Sequence, residues 1–194
     1  MKLYYSPGAC SLADHIALHE AGLPFELEKV DLKAKRTEGD VDYTTINPKG
    51  YVPALTLDSG ETVTENVAIL DWIARQDTAL KPVGAMGHTH LLEALAYIST
   101  EVHKSFKPFF SGASDEAQIQ ASDVILKRLG YLADTMQGDY LFGKSLSVAD
   151  CYLFVMLLWA AKNRIDVPAS LETFRDRMKT RPAVREAMQR EGLV

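Results

Sequence analysis

Cys10 is the residue of this sequence with the clearest potential for chemistry. It follows a short β-prone run at residues 2–5 and a Ser-Pro-Gly turn, and it precedes a segment with apolar residues at helical spacing. The N-terminus of a helix carries partial positive charge and free N–H groups, which can lower a thiol pKa and yield a reactive thiolate. The alternative is a small apolar residue that fills space under the helix. Cys151 lies in an apolar run and is interpreted as structural.

Two prolines mark the segment 47–55, with sequence NPKGYVPAL. Proline lacks an N–H group and is tolerated at the edge or the first position of a strand. Val52-Pro53 before a hairpin suggests a cis-proline turn that leaves the Val52 N–H and C=O groups free. Such groups could pair with an extended, peptide-like ligand as an added strand. A purely structural turn is the alternative.

Thr64-Glu65-Asn66 opens the next predicted helix. One interpretation is ordinary capping, with Thr64 as the N-cap and an acidic residue at the favourable end of the helix dipole. The other is that Glu65 and the helix N-terminus together bind the amine and the carboxylate of a ligand. The spacing alone leaves both open.

The five histidines do not indicate a metal site. His15 and His19 are four residues apart on a helix, and His88 and His90 are two apart, but neither pair has further ligands at zinc-site spacing. His103 lies on a predicted helix. It is either a partly exposed helix residue or a hydrogen-bond donor to a thiolate or a leaving group.

These residues fall on two regions of different character. Strands are predicted at residues 2–5, 25–30, 52–57 and 62–64, with helices at 11–21 and 65–75. The aperiodic stretch 77–88 follows, and helices are predicted at 89–110, 115–137, 147–163, 171–180 and 182–191. Ser147 and Asp150 form a capping-box pattern to which we assign no chemistry. The predicted fold is an α/β domain at 1–80, a linker at 81–88 and an all-helical domain at 89–194.

Composition excludes several classes of protein. The chain has 194 residues, 47% of them hydrophobic, and two cysteines, so neither disorder nor a disulfide scaffold is expected. Its net charge of −5 argues against nucleic acid as a partner. The longest apolar run, at 152–161, is far shorter than the ~20 residues of a membrane helix, and no signal peptide is apparent. We therefore expect a cytoplasmic protein with free thiols and no membrane partner.

Four motifs in order resemble the glutathione transferase superfamily, and in particular its bacterial beta class. They are YSPGACS at 5–11, NPKGYVPAL at 47–55, TENVAI at 64–69 and EVHK at 101–104. The resemblance covers essentially the whole chain. It implies a thioredoxin-like domain at 1–80 that binds glutathione, and a helical domain at 89–194 that lines the site of an electrophile. It also implies a homodimer, with glutathione as co-substrate and no tightly bound cofactor.

The resemblance assigns roles to individual residues. Cys10 and His103 are implied to be catalytic, with Cys10 beside the glutathione sulfur and able to form a mixed disulfide with it. Val52, before cis-Pro53, is implied to pair with the cysteinyl backbone. The other glutathione-binding residues are Glu65 and Asn66 at the γ-glutamyl end, Lys35 at the glycyl carboxylate, and also Tyr51 and Lys104. The sequence departs from the family at Asn66, usually serine or glycine, and at Ala96, where an asparagine is frequent.

The predicted activity is conjugation of the glutathione thiolate to small hydrophobic electrophiles, with a disulfide reductase or peroxidase side activity through Cys10. The electrophile pocket is expected around Phe106, Phe109, Phe110 and Trp159. A monothiol, glutaredoxin-like oxidoreductase is one alternative, because Ala13 rules out a Cys-x-x-Cys pair. A non-catalytic binding protein on the same fold is the other.

Overall fold

A computed structural model describes all 194 residues, which fold into two compact units. The first contains Met1–Thr78 together with Arg181–Val194, and the second contains Ala79–Thr180. No helix in either unit is both long enough and apolar enough to cross a membrane.

The first unit is built on a five-stranded mixed sheet with the strand order β3-β2-β1-β4-β5. β1 is parallel to β2, whereas the β1–β4, β2–β3 and β4–β5 pairs are antiparallel. The predicted β-α-β unit and the hairpin are both confirmed. The elements in chain order are β1 (Lys2–Tyr5), α1 (Leu12–Glu20), β2 (Glu26–Asp31), β3 (Arg36–Thr37), a 3-10 turn (Tyr43–Thr45), β4 (Ala54–Thr56), β5 (Thr62–Thr64), α2 (Asn66–Gln76) and α8 (Pro182–Arg190).

Apolar residues at helical spacing make α1 and α2 pack together and form a core with the sheet. Ile16 on α1 and Ile69 and Ile73 on α2 are fully buried, as is Leu3 on β1. Burying a side chain of this kind stabilises the fold by about 1.5–3 kcal/mol relative to leaving it exposed. The core fixes the ends of β1 and α1, between which Cys10 lies.

The last helix belongs to the first unit, which differs from the expected helical domain at 89–194. α8 packs against α1 and buries Val184, Ala187 and Met188. Arg181, just before α8, donates from Nε and Nη2 to the two carboxylate oxygens of Glu20 at 2.6 and 2.7 Å. This partner of α8 lies 161 residues away in the chain, so no local pattern indicates it.

The second unit is helical throughout, with α6 as its central element. Twelve of the fifteen residues of α6 are buried, which explains why its sequence is apolar on all sides. The elements are a 3-10 turn (Thr78–Leu80) at the boundary, α3 (Gly87–Tyr97), a π-helical segment (Ile98–His103), α4 (Lys107–Phe110), α5 (Asp115–Thr135), α6 (Val148–Lys162) and α7 (Ala169–Thr180).

The single helix predicted at 89–110 is wrong, because the structure divides it into three pieces. α3 passes into the π-helical segment, and α4 starts separately at Lys107. Pro108 is the second residue of α4. Proline has no N–H group to donate and clashes with the preceding turn, so a continuous helix through this position is disfavoured. The break gives His103 and the residues after it a local geometry of their own.

The capping box predicted at Ser147 is confirmed. The buried Asp150 carboxylate accepts the Ser147 N–H at 2.8 Å, the Ser147 hydroxyl at 2.6 Å and the Leu141 N–H at 2.8 Å. Burial raises the pKa of Asp150 to about 6, while these hydrogen bonds act in the opposite direction. The carboxylate therefore fixes the start of α6 and the loop before it.

We expect Asp150→Ala to lower the free energy of unfolding by about 2–3 kcal/mol, because two backbone N–H groups lose their acceptor in a buried place. Urea unfolding followed by circular dichroism measures the change. Asp166→Ala is the matched control, since Asp166 is exposed. Equal midpoints for the two variants would contradict the assigned role of the capping box.

Candidate functional site

The loop between β1 and α1 places Cys10 beside the Val52-Pro53 turn. The Cys10 side chain is half-buried, and its Sγ donates to the Val52 carbonyl oxygen at 3.7 Å. Ser11 precedes α1 but makes no side-chain cap, and the Ala13 N–H donates to the Cys10 carbonyl at 3.0 Å. A thiol therefore lies next to the turn that precedes β4.

The turn itself has the predicted cis geometry at the Val52–Pro53 bond. It is held from below by the carbonyl oxygen of Tyr51, which accepts the Tyr43 hydroxyl at 3.0 Å and the Asn47 side-chain amide at 2.7 Å. The Val52 N–H has no partner within the protein, and β4 starts only at Ala54. The turn thus offers a free backbone donor next to the thiol.

Glu65 adopts a positive φ of 75° directly before α2. This conformation is uncommon for a residue other than glycine and directs its half-exposed carboxylate away from the helix. The carboxylate accepts the Tyr51 hydroxyl at 2.7 Å and also pairs with the Lys49 ammonium. These hydrogen bonds, that of Lys49 first, lower the pKa of Glu65. The expectation that Thr64 caps the helix is wrong, since Thr64 is the last residue of β5.

Lys35 lies against the same segment. Its backbone has a φ of 57°, and its Nζ donates to the Gly50 carbonyl at 2.6 Å. Gly50 itself has a φ of 68°, a conformation that favours glycine. The ammonium of Lys35 therefore contacts the residue that directly precedes Tyr51 in the chain.

Asn66 faces inward and not toward Glu65. Its side chain is buried, and its amide lies against the Cys10 carbonyl oxygen at 3.3 Å and Asp14 Oδ2 at 2.5 Å. Both neighbours are acceptors, so the nitrogen end is assigned to them. Asn66 can therefore offer a ligand its backbone N–H at the start of α2, while its side chain supports the Cys10 loop.

Two further residues support that loop and were missed from the sequence. The Glu191 carboxylate is fully buried, accepts the Gly8 N–H at 2.9 Å and pairs with His15 Nδ1 at 2.9 Å. His15 had been examined only as a metal ligand. The two residues are 176 positions apart, so only the tertiary structure reveals the pair.

The expected lowering of the Cys10 pKa is wrong. Burial raises the pKa of the thiol to about 12, and the nearby Asp14 carboxyl acts in the same direction. Backbone hydrogen bonds at the start of α1 lower it, but their effect is smaller. Asp14 is itself fully buried, and its pKa lies well above the usual range because of burial and the charge of Glu191. At neutral pH the Cys10 side chain is a protonated thiol.

His103 and Lys104 belong to the second unit. His103 Nδ1 lies 2.6 Å from the Tyr152 hydroxyl, and its ring packs edge-on against Trp159 with the centroids 4.9 Å apart. Burial, followed by the charge of Lys104, lowers the pKa of His103 to about 4. The imidazole is therefore neutral at pH 7. The neutral ring either accepts the Tyr152 hydroxyl at Nδ1, with its own proton on Nε2, or donates to that hydroxyl from Nδ1.

A cleft of about 340 Å³ opens beside His103 in the second unit. Its lining residues are His103, Lys104, Lys107, Phe110 and Ser111. Of the four aromatic residues expected around a pocket, Phe110 reaches this cleft and is 58% exposed. Phe106 and Trp159 are buried behind it, and Phe109 is half-buried.

Contacts join several of the predicted site residues of the first unit to one another or to adjoining residues. Cys10 reaches Val52 and Asn66, Tyr51 reaches Glu65, and Lys35 reaches Gly50. No group of three or more His, Cys, Asp or Glu side chains has the geometry to hold a metal ion. The arrangement can take a peptide-like ligand with charged ends beside a thiol.

Comparisons with known proteins agree with this geometry. A family model described as "Glutathione S-transferase, N-terminal domain" matches residues 9–76, and one described as "Glutathione S-transferase, C-terminal domain" matches residues 100–191. The chain belongs to the glutathione S-transferase family. This confirms the resemblance and the fold class, a thioredoxin-like domain with a helical domain, that the four motifs predicted.

Individual glutathione S-transferases match over their full length. The chain is 41% identical to "Glutathione S-transferase GstA" of Escherichia coli O157:H7, with all of both chains covered. It is similar to the bacterial beta class glutathione S-transferase of Sphingomonas chungbukensis, with 46% identity, a TM-score of 0.92 and full coverage of both chains. A sphingomonad glutathione S-transferase complexed with glutathione matches at 48% identity and a TM-score of 0.93, again over both whole chains.

The raised pKa predicts that Cys10 reacts slowly with alkylating agents. We expect iodoacetamide to modify Cys10 at neutral pH more than about 100-fold more slowly than a free cysteine, because the reactive thiolate is scarce. The rate should rise about tenfold per pH unit with no plateau up to pH 9. Mass spectrometry of the alkylated protein gives the rate, and Cys10→Ala gives the background from Cys151. A plateau with a midpoint below pH 8 would contradict the raised pKa.

Proposed function

We propose that this protein joins the sulfur of glutathione to small hydrophobic electrophiles. The observation that carries the proposal is the thiol of Cys10 next to the Val52 carbonyl, at a turn whose Val52 N–H is unpaired. A tripeptide with a central cysteine can pair its backbone with Val52, and this brings its own sulfur close to Cys10. The glutathione thiolate then forms a C–S bond, and the leaving group departs with its electron pair.

The two ends of glutathione match the charges around the turn. We assign the γ-glutamyl ammonium to the Glu65 carboxylate, and the adjoining carboxylate to the free N–H groups at the start of α2, including that of Asn66. Lys35 is assigned to the glycyl carboxylate, and Tyr51 orients Glu65 through its hydroxyl. Pro53 contributes the cis bond that presents Val52.

The catalytic roles follow from the protonation states. Because the Cys10 thiol is protonated at neutral pH, we assign it the role of hydrogen-bond donor to the glutathione thiolate. His103 is neutral and can donate from Nε2 to a thiolate or a leaving group without adding charge. Lys104, the residue after His103, is assigned to glutathione as a cation. The first unit is thereby the glutathione-binding part, and the helical unit lines the electrophile site.

A monothiol oxidoreductase is the second candidate, favoured by the half-exposed, free thiol of Cys10. Its nucleophile would be the Cys10 thiolate, which the burial of Cys10 and the charge of Asp14 disfavour. The physical chemistry of the site therefore supports the transferase over the oxidoreductase. A non-catalytic binding protein does not require a thiol next to the turn, so the position of Cys10 argues against that alternative.

The remaining proposals concern the setting of the protein. We propose a cytoplasmic homodimer that needs no tightly bound cofactor. Exposed apolar side chains of the second unit support an association of subunits. They are Val83, Met86, Leu92, Ile119, Val124, Leu126 and Tyr131. Light scattering coupled to size-exclusion chromatography measures the mass of the assembly.

Calorimetric titration with glutathione, together with the conjugation of 1-chloro-2,4-dinitrobenzene, tests the proposed activity. In Glu65→Gln the charged partner of the ammonium is lost, so we expect the KM for glutathione to rise about tenfold. Glu61→Gln is the control, because Glu61 is exposed on the neighbouring hairpin and lies outside the site. Equal KM values in both variants would contradict the assignment of Glu65 to the site. If the unmodified protein does not bind glutathione, the proposed function is wrong.

Cys10→Ala separates the transferase from the oxidoreductase. We expect conjugation to persist with a loss of about three- to tenfold in kcat, since one hydrogen bond to the thiolate disappears. Reduction of a glutathione mixed disulfide through Cys10 should vanish completely. Both rates are measured on the same preparation, with Cys151→Ala as the control. Loss of conjugation to the uncatalysed rate would instead favour covalent chemistry at Cys10.

A further inference from the structure

The cleft next to His103 has two cations on its rim. Lys104 and Lys107 are three residues apart, both are exposed, and both line the cleft. Neither side-chain ammonium forms an ion pair or a hydrogen bond with another residue of the protein. The nearest acidic residue in the sequence, Glu101, is already paired with Arg128 at 2.7 Å. The positive charge of the rim is therefore not neutralised by a neighbouring carboxylate.

The wall and floor of the same cleft are aromatic. The exposed Phe110 ring packs edge-on against Trp159 with the centroids 4.8 Å apart, and the Trp159 ring also contacts His103. His103 is neutral at pH 7 and adds no charge to the floor. The Ser111 hydroxyl is a further polar group at the edge. A planar ring fits against Phe110, and an anionic substituent on that ring then meets the lysines.

We propose that the cleft selects aromatic electrophiles that carry a carboxylate, and that Lys107 is a specificity-determining residue for them. The inference rests on the proposed function and names the class of its second substrate. In the reaction, the glutathione thiolate forms a bond to the ring carbon that carries a halogen, and the halide leaves with the electron pair of its bond. The carboxylate of the ring is unchanged and remains paired with Lys107 throughout.

A matched pair of electrophiles tests the inference. 1-Chloro-2,4-dinitrobenzene is neutral, whereas 4-chloro-3,5-dinitrobenzoate carries a carboxylate on a similar ring. For each, kcat/KM at saturating glutathione is divided by the uncatalysed rate constant with glutathione, which removes the difference in intrinsic reactivity. We expect this normalised value to be about tenfold higher for the benzoate, and the preference to decrease as salt screens the lysines.

Variants of Lys107 test whether the preference for the carboxylate-bearing electrophile arises in the cleft. We expect Lys107→Gln to reduce the ratio of benzoate to neutral substrate about three- to fivefold, in the range of a partly exposed charge pair. Lys107→Arg keeps the charge and should keep the ratio. Lys127→Gln is the matched control, because Lys127 is an exposed lysine of the same unit that does not line the cleft. Circular dichroism of each variant verifies its fold.

The outcomes distinguish the inference from the proposed function. Conjugation of both electrophiles with equal normalised rates, or a ratio that is the same in Lys107→Gln and in the unmodified protein, overturns the inference and leaves the transferase intact. If neither electrophile is conjugated, the proposed transferase activity itself is overturned. As a second measurement, 3,5-dinitrobenzoate should inhibit conjugation of the neutral substrate more strongly than 1,3-dinitrobenzene does, and Lys107→Gln should reduce that difference.

Discussion

One buried carboxylate, that of Glu191, joins the end of the chain to the loop that carries Cys10. One of its oxygens accepts the Gly8 N–H and the other pairs with His15, so it fixes the loop on one side and α1 on the other. Removing one partner of such a buried pair leaves a polar group without compensation and costs about 3–5 kcal/mol. The distance between the Cys10 thiol and the Val52 carbonyl depends on this loop, so the thiol site depends on the last turn of α8.

The same carboxylate contributes to the electrostatics beneath the thiol. Burial, and then the charge of Glu191, raise the pKa of Asp14; burial, and then Asp14, raise the pKa of Cys10. A site built to form a thiolate on Cys10 would place a cation there instead. The negative surroundings favour a protonated thiol, which is a donor. This explains how a cysteine at a helix N-terminus can serve a thiolate that belongs to the ligand.

The first eighty residues carry 7 Lys and Arg against 13 Asp and Glu, although the proposed ligand is itself an anion. The net negative charge of these residues therefore cannot attract the anionic ligand over a long range. We propose that local groups supply the attraction, namely Lys35 beside Gly50 and the N–H groups at the start of α2. Lys49 compensates Glu65 in the same place, so the carboxylate is held ionised without repelling the anionic ligand.

Sequence reasoning succeeded where the cause was local. The cis bond before Pro53, the β4–β5 hairpin and the Ser147–Asp150 capping box each depend on residues within a few positions of one another. It predicted the helix at 182–191 but neither the contact of that helix with α1 nor the pairing of Glu191, because the partners lie 161 and 176 residues away. It also gave the wrong sign for the Cys10 pKa, because the sequence shows the helix N-terminus but not the burial. The effect of the helix N-terminus on the thiol pKa follows from nearby residues, whereas the larger effect of burial depends on the tertiary structure.

In the helical unit, the residues that hold His103 in place and the residues that line the cleft lie on different elements. Tyr152 and Trp159 are seven residues apart on α6, so they share one face of a helix that is buried along almost its whole length. Both contact the His103 ring, which fixes its orientation from behind. Lys107, Phe110 and Ser111 are instead exposed residues of the short segment around Pro108. On the proposed function, substitutions at Lys107 and Ser111 change which electrophile fits, whereas Phe110 also packs against Trp159, with the ring centroids 4.8 Å apart, and so contributes to the support behind His103.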